Sequence, residues 1–298
     1  MSVSGKGGLR RGETVAAYLF LLPNIVGFLI FTLLAVLASA AIALTNWDIL
    51  SPPDFVGLKN FQRLLTTDDT FQKVLLNTTV FTLASVLGSM VLSLLVALAM
   101  NTALRGIVLF RTAYYLPVVT SSVAVAVVWT WFYNPDFGPL NYYLSLLGVR
   151  PPAWLGSPEW ALPAVIIVSV WKSIGYDMII WLAGLQGIPQ HLYEAAAIDG
   201  AGRWRRFSAI TLPLLTPTTF FVLVISLIRA FQVFDVVQVM TDGGPADASR
   251  TMVLYIYDTG FRFLKMGYAA SVAWTLFVII FAITIVQWRV QGRWVHYD

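Results

Sequence analysis

The chain has no cysteine and only two histidines, His191 and His296, among 298 residues. Disulfides and thiolate metal sites are therefore excluded, and two isolated imidazoles do not make a histidine-rich metal centre. Charge is scarce as well. Asp, Glu, Lys and Arg make up 11% of the sequence, against roughly 25% in soluble domains, too little for an ordinary water-facing surface. A nucleotide-binding P-loop is missing, because Lys172 is the one lysine followed by Ser or Thr, and Trp171 stands before it where glycine is required. No internal repeat is found. Paired carboxylates such as Asp68 and Asp69 read as exposed loop neighbours, and no nucleophile is set beside a base in a recognisable pattern.

Apolar residues fill 58% of the chain. A hydrocarbon core about 30 Å thick needs some 20 apolar residues per helical span, and six runs qualify: 15–44, 78–100, 112–132, 162–184, 214–236 and 267–288. Lipid offers no partner to backbone amides, so all six are expected to be helices. The first run carries Ala38-Ser39-Ala40, which imitates a processing site, but it is too long for a signal-peptide core and is read as a retained helix. The expected fold class is thus all-α integral membrane.

Basic residues set the orientation. A cytoplasmic N-terminus gathers Lys6, Arg10, Arg11, Arg105, Arg111, Arg203, Arg205, Arg206, Arg289 and Arg293 inside, in the shorter loops. Lys59, Arg63, Lys73, Arg150, Arg250, Arg262 and Lys265 fall outside, spread over longer ones. Both ends are then cytoplasmic. The net charge of +4 suits the anionic inner leaflet, and nucleic acid is not needed to explain it.

The outer segments carry turn and interface chemistry. After Asn46-Trp47-Asp48 and Pro52-Pro53, the apolar residues Phe55, Val56, Leu58, Phe61, Leu64 and Leu65 fit either a short interfacial helix or a packed surface loop. Asn134-Pro135-Asp136-Phe137-Gly138-Pro139 punctuates a turn, and Trp154 and Trp160 beyond it suit an interfacial belt. Met240-Thr241-Asp242-Gly243-Gly244-Pro245 is a tight turn by its Gly-Gly-Pro chemistry.

Between the fourth and fifth runs the chain reads Glu194-Ala195-Ala196, three residues, Gly200, nine residues, then Ile210, Leu212 and Pro213. Alanines 195–197 with Ile198 favour a short helix with a narrow face, and Gly200 permits a bend that residues with a Cβ resist. A helix, a turn and a second helix are expected, with Pro213 in the first turn of span five and Pro217 kinking it.

That spacing resembles the signature of the permease subunit of binding-protein-dependent ABC importers. The Met240–Pro245 turn is similar to one in the carbohydrate-uptake, maltose and glycerol-phosphate branch. The resemblance implies a type I importer permease fold in the cell (inner, cytoplasmic) membrane. It divides the chain into a tail (1–14), a first helix (15–44), an outer segment (45–77), a five-helix core (78–290) containing a coupling loop at 188–213, and a second tail (291–298). It implies a second, homologous permease subunit forming a heterodimer, two ATPase subunits that use ATP and Mg, an extracytoplasmic solute-binding protein, lipid contact and a carbohydrate substrate, with no cofactor bound by this chain. Glu194, Ala195, Ala196, Asp199, Gly200 and Arg203 would contact the ATPase. Taken by themselves, Arg203, Arg205 and Arg206 read rather as residues that fix topology.

Charges within the spans point to the path. Span four holds Ser169, Lys172, Ser173, Tyr176 and Asp177 at i, i+3, i+4, i+7 and i+8, one helical face, and span five adds Ser226, Arg229, Gln232 and Asp235. Leaving four charges in lipid would cost on the order of 10–14 kcal/mol, so they face protein or water. They either pair across packed helices or line a solvated path. In the second case Ser169, Lys172, Ser173, Tyr176, Asp177, Ser226, Arg229 and Gln232 would meet the substrate. An ion-coupled secondary transporter or channel subunit is the competing class, but internal repeats would be expected of it and the Glu-Ala-Ala spacing would go unexplained.

Overall fold

The computed structural model describes residues 6–102 and 105–292, with side chains from residue 12 onward. The readings of Arg293 and His296, and of the side chains of Lys6, Arg10 and Arg11, fall outside it. Helix α1 (Gly12–Ala43) is long and apolar and lies almost wholly on the outside of the bundle, with Phe20 86% exposed. Only its last turns touch the bundle, where the Trp274 indole N–H donates to Ser39 Oγ at 3.2 Å. A minimal hairpin follows: β1 (Thr45–Asn46) pairs antiparallel with β2 (Asp54–Phe55), Thr45 opposite Phe55. Phe55 therefore belongs to a strand, and the short helix begins later, as α2 (Lys59–Thr66).

Two long helices form the centre, α3 (Asp69–Met100) and α7 (Ala161–Gln186). The face of α3 carries Ser85, Ser89 and Ser93 at every fourth position, all buried, and such small side chains let transmembrane helices approach closely. Near the far end the Trp181 indole N–H donates to Ser93 Oγ at 3.0 Å, among Ala97, Met178, Leu185 and Leu215. The last helix, α13 (Met266–Gln291), packs beside α1.

The third and fifth spans are each broken in two, where the sequence predicts a kink at Pro217 in the fifth and none in the third. Run 112–132 is divided into α4 (Ile107–Val119) and α5 (Ser122–Phe132), bent by 98°, after which come α6 (Pro139–Leu146) and the connection to α7. Helices α9 (Arg203–Leu214) and α10 (Thr216–Phe231) meet at 63°. The break falls at Leu215, so Pro213 sits in the last turn of α9 and Pro217 in the first turn of α10, where its missing N–H is harmless. Among the described residues, four helices are long and apolar enough to cross a membrane, or up to six if each bent pair counts as one span.

At the end where α3 begins, polar side chains bind the connections together. Asp68 is not an exposed loop residue. It caps α3 by accepting from the Phe71 N–H at 2.9 Å, and it accepts from the hydroxyls of Tyr255 (2.6 Å) and Tyr268. Burial alone would raise its carboxyl, but these hydrogen bonds and nearby Arg63 hold it below its usual value. Trp154 is likewise not presented to the surroundings as a belt residue would be: it is buried against Tyr133 and donates to Asn141 Oδ1 at 2.7 Å. The Met240–Pro245 turn joins α11 (Asp235–Met240) to α12 (Met252–Tyr257), anchored by alternating charges. Arg250 pairs with Asp247 (2.5 Å) and Asp258 (3.3 Å), and Arg262 with Asp258 (3.1 Å) and Asp242 (2.9 Å).

Candidate functional site

Helices α3, α4, α7, α10 and α11 enclose a cleft of about 370 Å³, within the size range of small-molecule sites. Its walls include Ser169, Lys172, Ser173 and Tyr176 from α7, Ser226 and Arg229 from α10, and Gln232 and Asp235 just beyond. All but one of the residues read as a polar path thus meet in one cavity. The exception is Asp177, which is fully buried behind the wall.

Asp177 explains how a guanidinium survives in an apolar bundle. Arg229 Nη2 lies 2.5 Å from Asp177 Oδ1 and 3.2 Å from Ser226 Oγ, with the guanidinium carbon 4.5 Å from the centre of the Tyr176 ring. Ser226 also donates to the second carboxylate oxygen at 3.4 Å. Pairing and cleft lining therefore hold together for Arg229, whose side chain is 39% exposed.

Lys172 is engaged differently. Its ammonium donates to the carbonyls of Pro117 (3.0 Å) and Thr120 (2.9 Å), at the break between α4 and α5. A helix that ends inside the bundle leaves its last carbonyls without amide partners, and these attract a cation. Close approach of α4 to α7 depends on Gly175, since a Cβ there would lie 2.1 Å from the Tyr114 carbonyl oxygen. The sequence marks Lys172 as a charge needing a partner. It gives no sign that the partner is backbone, because the 98° break is invisible to hydropathy.

The second part of the site follows α7 directly. Helix α8 (Gln190–Ile198) ends at Asp199, and the Gly200 N–H bonds to the Ala197 carbonyl (3.1 Å) while the Ala201 N–H bonds to that of Ala196 (2.8 Å). This paired closure needs a left-handed residue, and Gly200 supplies it at φ 76°. Helix α9 then starts at Arg203, so the expected helix, turn and helix are present. The elbow stands clear of the bundle: Glu194, Ala195, Asp199, Gly200 and Arg203 are exposed, Ala196 half-buried, and Ile198 and Trp204 are 88% and 77% exposed. One side-chain bond, Tyr193 Oη to Thr211 Oγ1 at 2.9 Å, ties α8 to α9.

A bundle of long apolar helices, with a charged cleft among broken spans and an exposed elbow at one end, has the architecture of a membrane permease. Comparison with known proteins agrees. Residues 89–295 match the family model described as the binding-protein-dependent transport system inner membrane component. The chain is 38% identical to the probable ABC transporter permease protein YesP of Bacillus subtilis (strain 168), over 97% of this chain and 94% of that one. It is 36% identical to the trehalose/maltose transport system permease protein MalF of Thermococcus litoralis, over 96% of each. Among solved structures it is similar to a chain of a bacterial alginate ABC transporter in complex with an alginate pentasaccharide-bound periplasmic protein, with TM-score 0.83 and 28% identity over 95% of this chain and 96% of that one. The chain belongs to the binding-protein-dependent transport system inner membrane component family: it is a multi-pass ABC transporter permease of the inner membrane.

Proposed function

We propose that this permease forms half of the translocation path of a carbohydrate importer and that its elbow couples the path to a cytoplasmic ATPase. The observation that carries the reading is the arrangement along α7: its middle walls the cleft, and its end leads directly into the exposed elbow. A push on Glu194 to Arg203 would therefore reach the cleft through rigid helix. Relatives named for trehalose/maltose and alginate transport support a sugar or related polyol as cargo.

In this reading both ends are cytoplasmic and each bent pair is one crossing, giving six spans. The tails are 1–14 and 291–298, the first helix 15–44, the outer segment 45–77, and the core 78–290 with its coupling loop at 188–213. A second, homologous permease completes the path, and the bare surface of α1 gives it somewhere to pack. Two ATPase subunits supply ATP and Mg chemistry, and an extracytoplasmic binding protein delivers the substrate. The partners drive the cycle by binding two permease states with different affinity.

The absence of cysteine makes the test direct. A single thiol placed by Ala195→Cys should form a cross-linked adduct with the ATPase subunit in membranes, while Ser145→Cys, on α6, should not. An active transporter in which Ala195→Cys yields no ATPase adduct with linkers of any length would overturn the coupling role.

A further inference from the structure

We infer that the cleft is matched to an uncharged, hydroxyl-rich sugar and disfavours uronates and sugar phosphates. This rests on the reading of the cleft as a carbohydrate path and deepens it.

Charge is balanced before any ligand arrives. Lys172 and Arg229 bring two positive charges, Asp177 and Asp235 two negative ones. A bound carboxylate or phosphate is ordinarily held by cations with free donors, above all by a forked guanidinium. The charge of Arg229 is already compensated by a fully buried carboxylate 2.5 Å from Nη2, and its guanidinium stacks on Tyr176. The Lys172 ammonium gives two of its three protons to the Pro117 and Thr120 carbonyls. Asp235, on the cleft wall, adds a repulsive charge.

The hydroxyls point the same way. Ser169 donates to the Val165 carbonyl at 2.9 Å, Ser173 to Ser169 at 2.8 Å, Ser85 to Thr82 at 3.3 Å and Ser89 to Val86 at 3.2 Å, while Ser226 donates to Asp177. A serine has one proton to give and two lone pairs to offer. With their protons spent inside the chain, these five of the six serines that line the cleft have only acceptor capacity left for a ligand, and part of Ser226's is taken by Arg229. Neutral sugar hydroxyls bring the donors such a wall requires, whereas a carboxylate or phosphate group brings further acceptors.

The test uses the intact transporter purified without its binding protein, so that the path itself is sampled. Binding of neutral trisaccharides (maltotriose, cellotriose and raffinose) is measured by calorimetry beside trigalacturonate. We expect at least one neutral sugar to bind about tenfold or more tighter than the uronate. Asp235→Asn should move the affinity ratio toward the uronate by roughly threefold to tenfold, as expected for removing one nearby charge in a partly wet cavity. Trigalacturonate binding as tightly as the best neutral sugar, or a ratio unmoved by Asp235→Asn, would overturn the inference. Failure of every sugar to bind would instead defeat the reading of the cleft as a carbohydrate path.

Discussion

The cleft and the elbow treat charge in opposite ways. In the cleft, Arg229 meets Asp177 and Tyr176, and Lys172 meets two backbone carbonyls, all within the chain. On the elbow, Glu194, Asp199, Arg203, Arg205 and Arg206 make no ion pair among the described residues, and the bend is held by backbone geometry at Gly200. The solvent explains the contrast. A charge surrounded by apolar helices must be compensated where it stands, whereas one facing water can wait for a partner chain. Under the proposed function, the charges paired within the cleft would stand along the path of a solute, and the unpaired ones on the elbow would be left for a partner chain.

The comparison is tested most severely by removing the buried partner. Asp177→Ala leaves Arg229 without its counter-charge, and breaking such a pair costs about 3 kcal/mol, the lower end of the usual range because Arg229 is partly exposed. The thermal midpoint of the purified transporter should fall and uptake into vesicles should be lost. Removing both charges together, as Asp177→Leu with Arg229→Met, should restore most of the stability without restoring uptake. A double variant as unstable as the single one would mean that the pair is not the unit of compensation.

Next in size is Lys172→Met, which leaves two carbonyls at the α4–α5 break without their donor, at a cost of about 2 kcal/mol. Hydrogen exchange should speed up at the end of α4, and Lys172→Arg should recover part of the protection. Protection unchanged in the methionine variant would show that the break is held by packing at Gly175 alone.

These two cases also mark how far the sequence could be read. The elbow was legible because its information is local: the Glu-Ala-Ala and Gly200 spacing encodes a helix, a left-handed closure and a second helix within a dozen residues. The polar face of α7 was legible for the same reason, since Ser169 to Asp177 fall on one helical stripe. The breaks were not. Run 112–132 is apolar on both sides of its bend, so summed hydropathy passes over Pro117 and Thr120 without a mark. Asp68 was misread because its partners Tyr255 and Tyr268 lie 187 and 200 positions away. The Asn141 acceptor that makes Trp154 a core residue is separated from it by the connection after α6.

On the elbow the expected energies are smaller and the expected consequence is functional. Gly200 sits at φ 76° with open space around the position of a Cβ, so Gly200→Val meets only backbone strain, about 1–2 kcal/mol. The permease should remain in the membrane with its cleft intact, while ATP hydrolysis becomes insensitive to the loaded binding protein. Gly200→Asn, which tolerates this conformation, should keep much of the coupling. Coupling equally intact in both variants would show that the bend is a passive connection.

The smallest effect is expected at the opposite end of α3, where Asp68 tests whether internal compensation extends to the bundle's margin. Its carboxyl titrates below its ordinary value, so the stability it contributes is complete above the unfolded-state value near 4 and is lost as pH falls through the lower folded one. Between pH 5 and 8 the wild type should show no Asp68-dependent change. Asp68→Ala should lower the midpoint across that range by a constant amount corresponding to about 1 kcal/mol, the usual worth of a helix cap. The gap between variant and wild type should close only in strong acid. A gap that instead widens as pH falls from 7 to 5, the mark of a carboxyl raised above its unfolded value, would mean that the Tyr255 and Tyr268 hydroxyls do not hold Asp68 ionised, and the margin would then belong with the uncompensated elbow instead of the cleft.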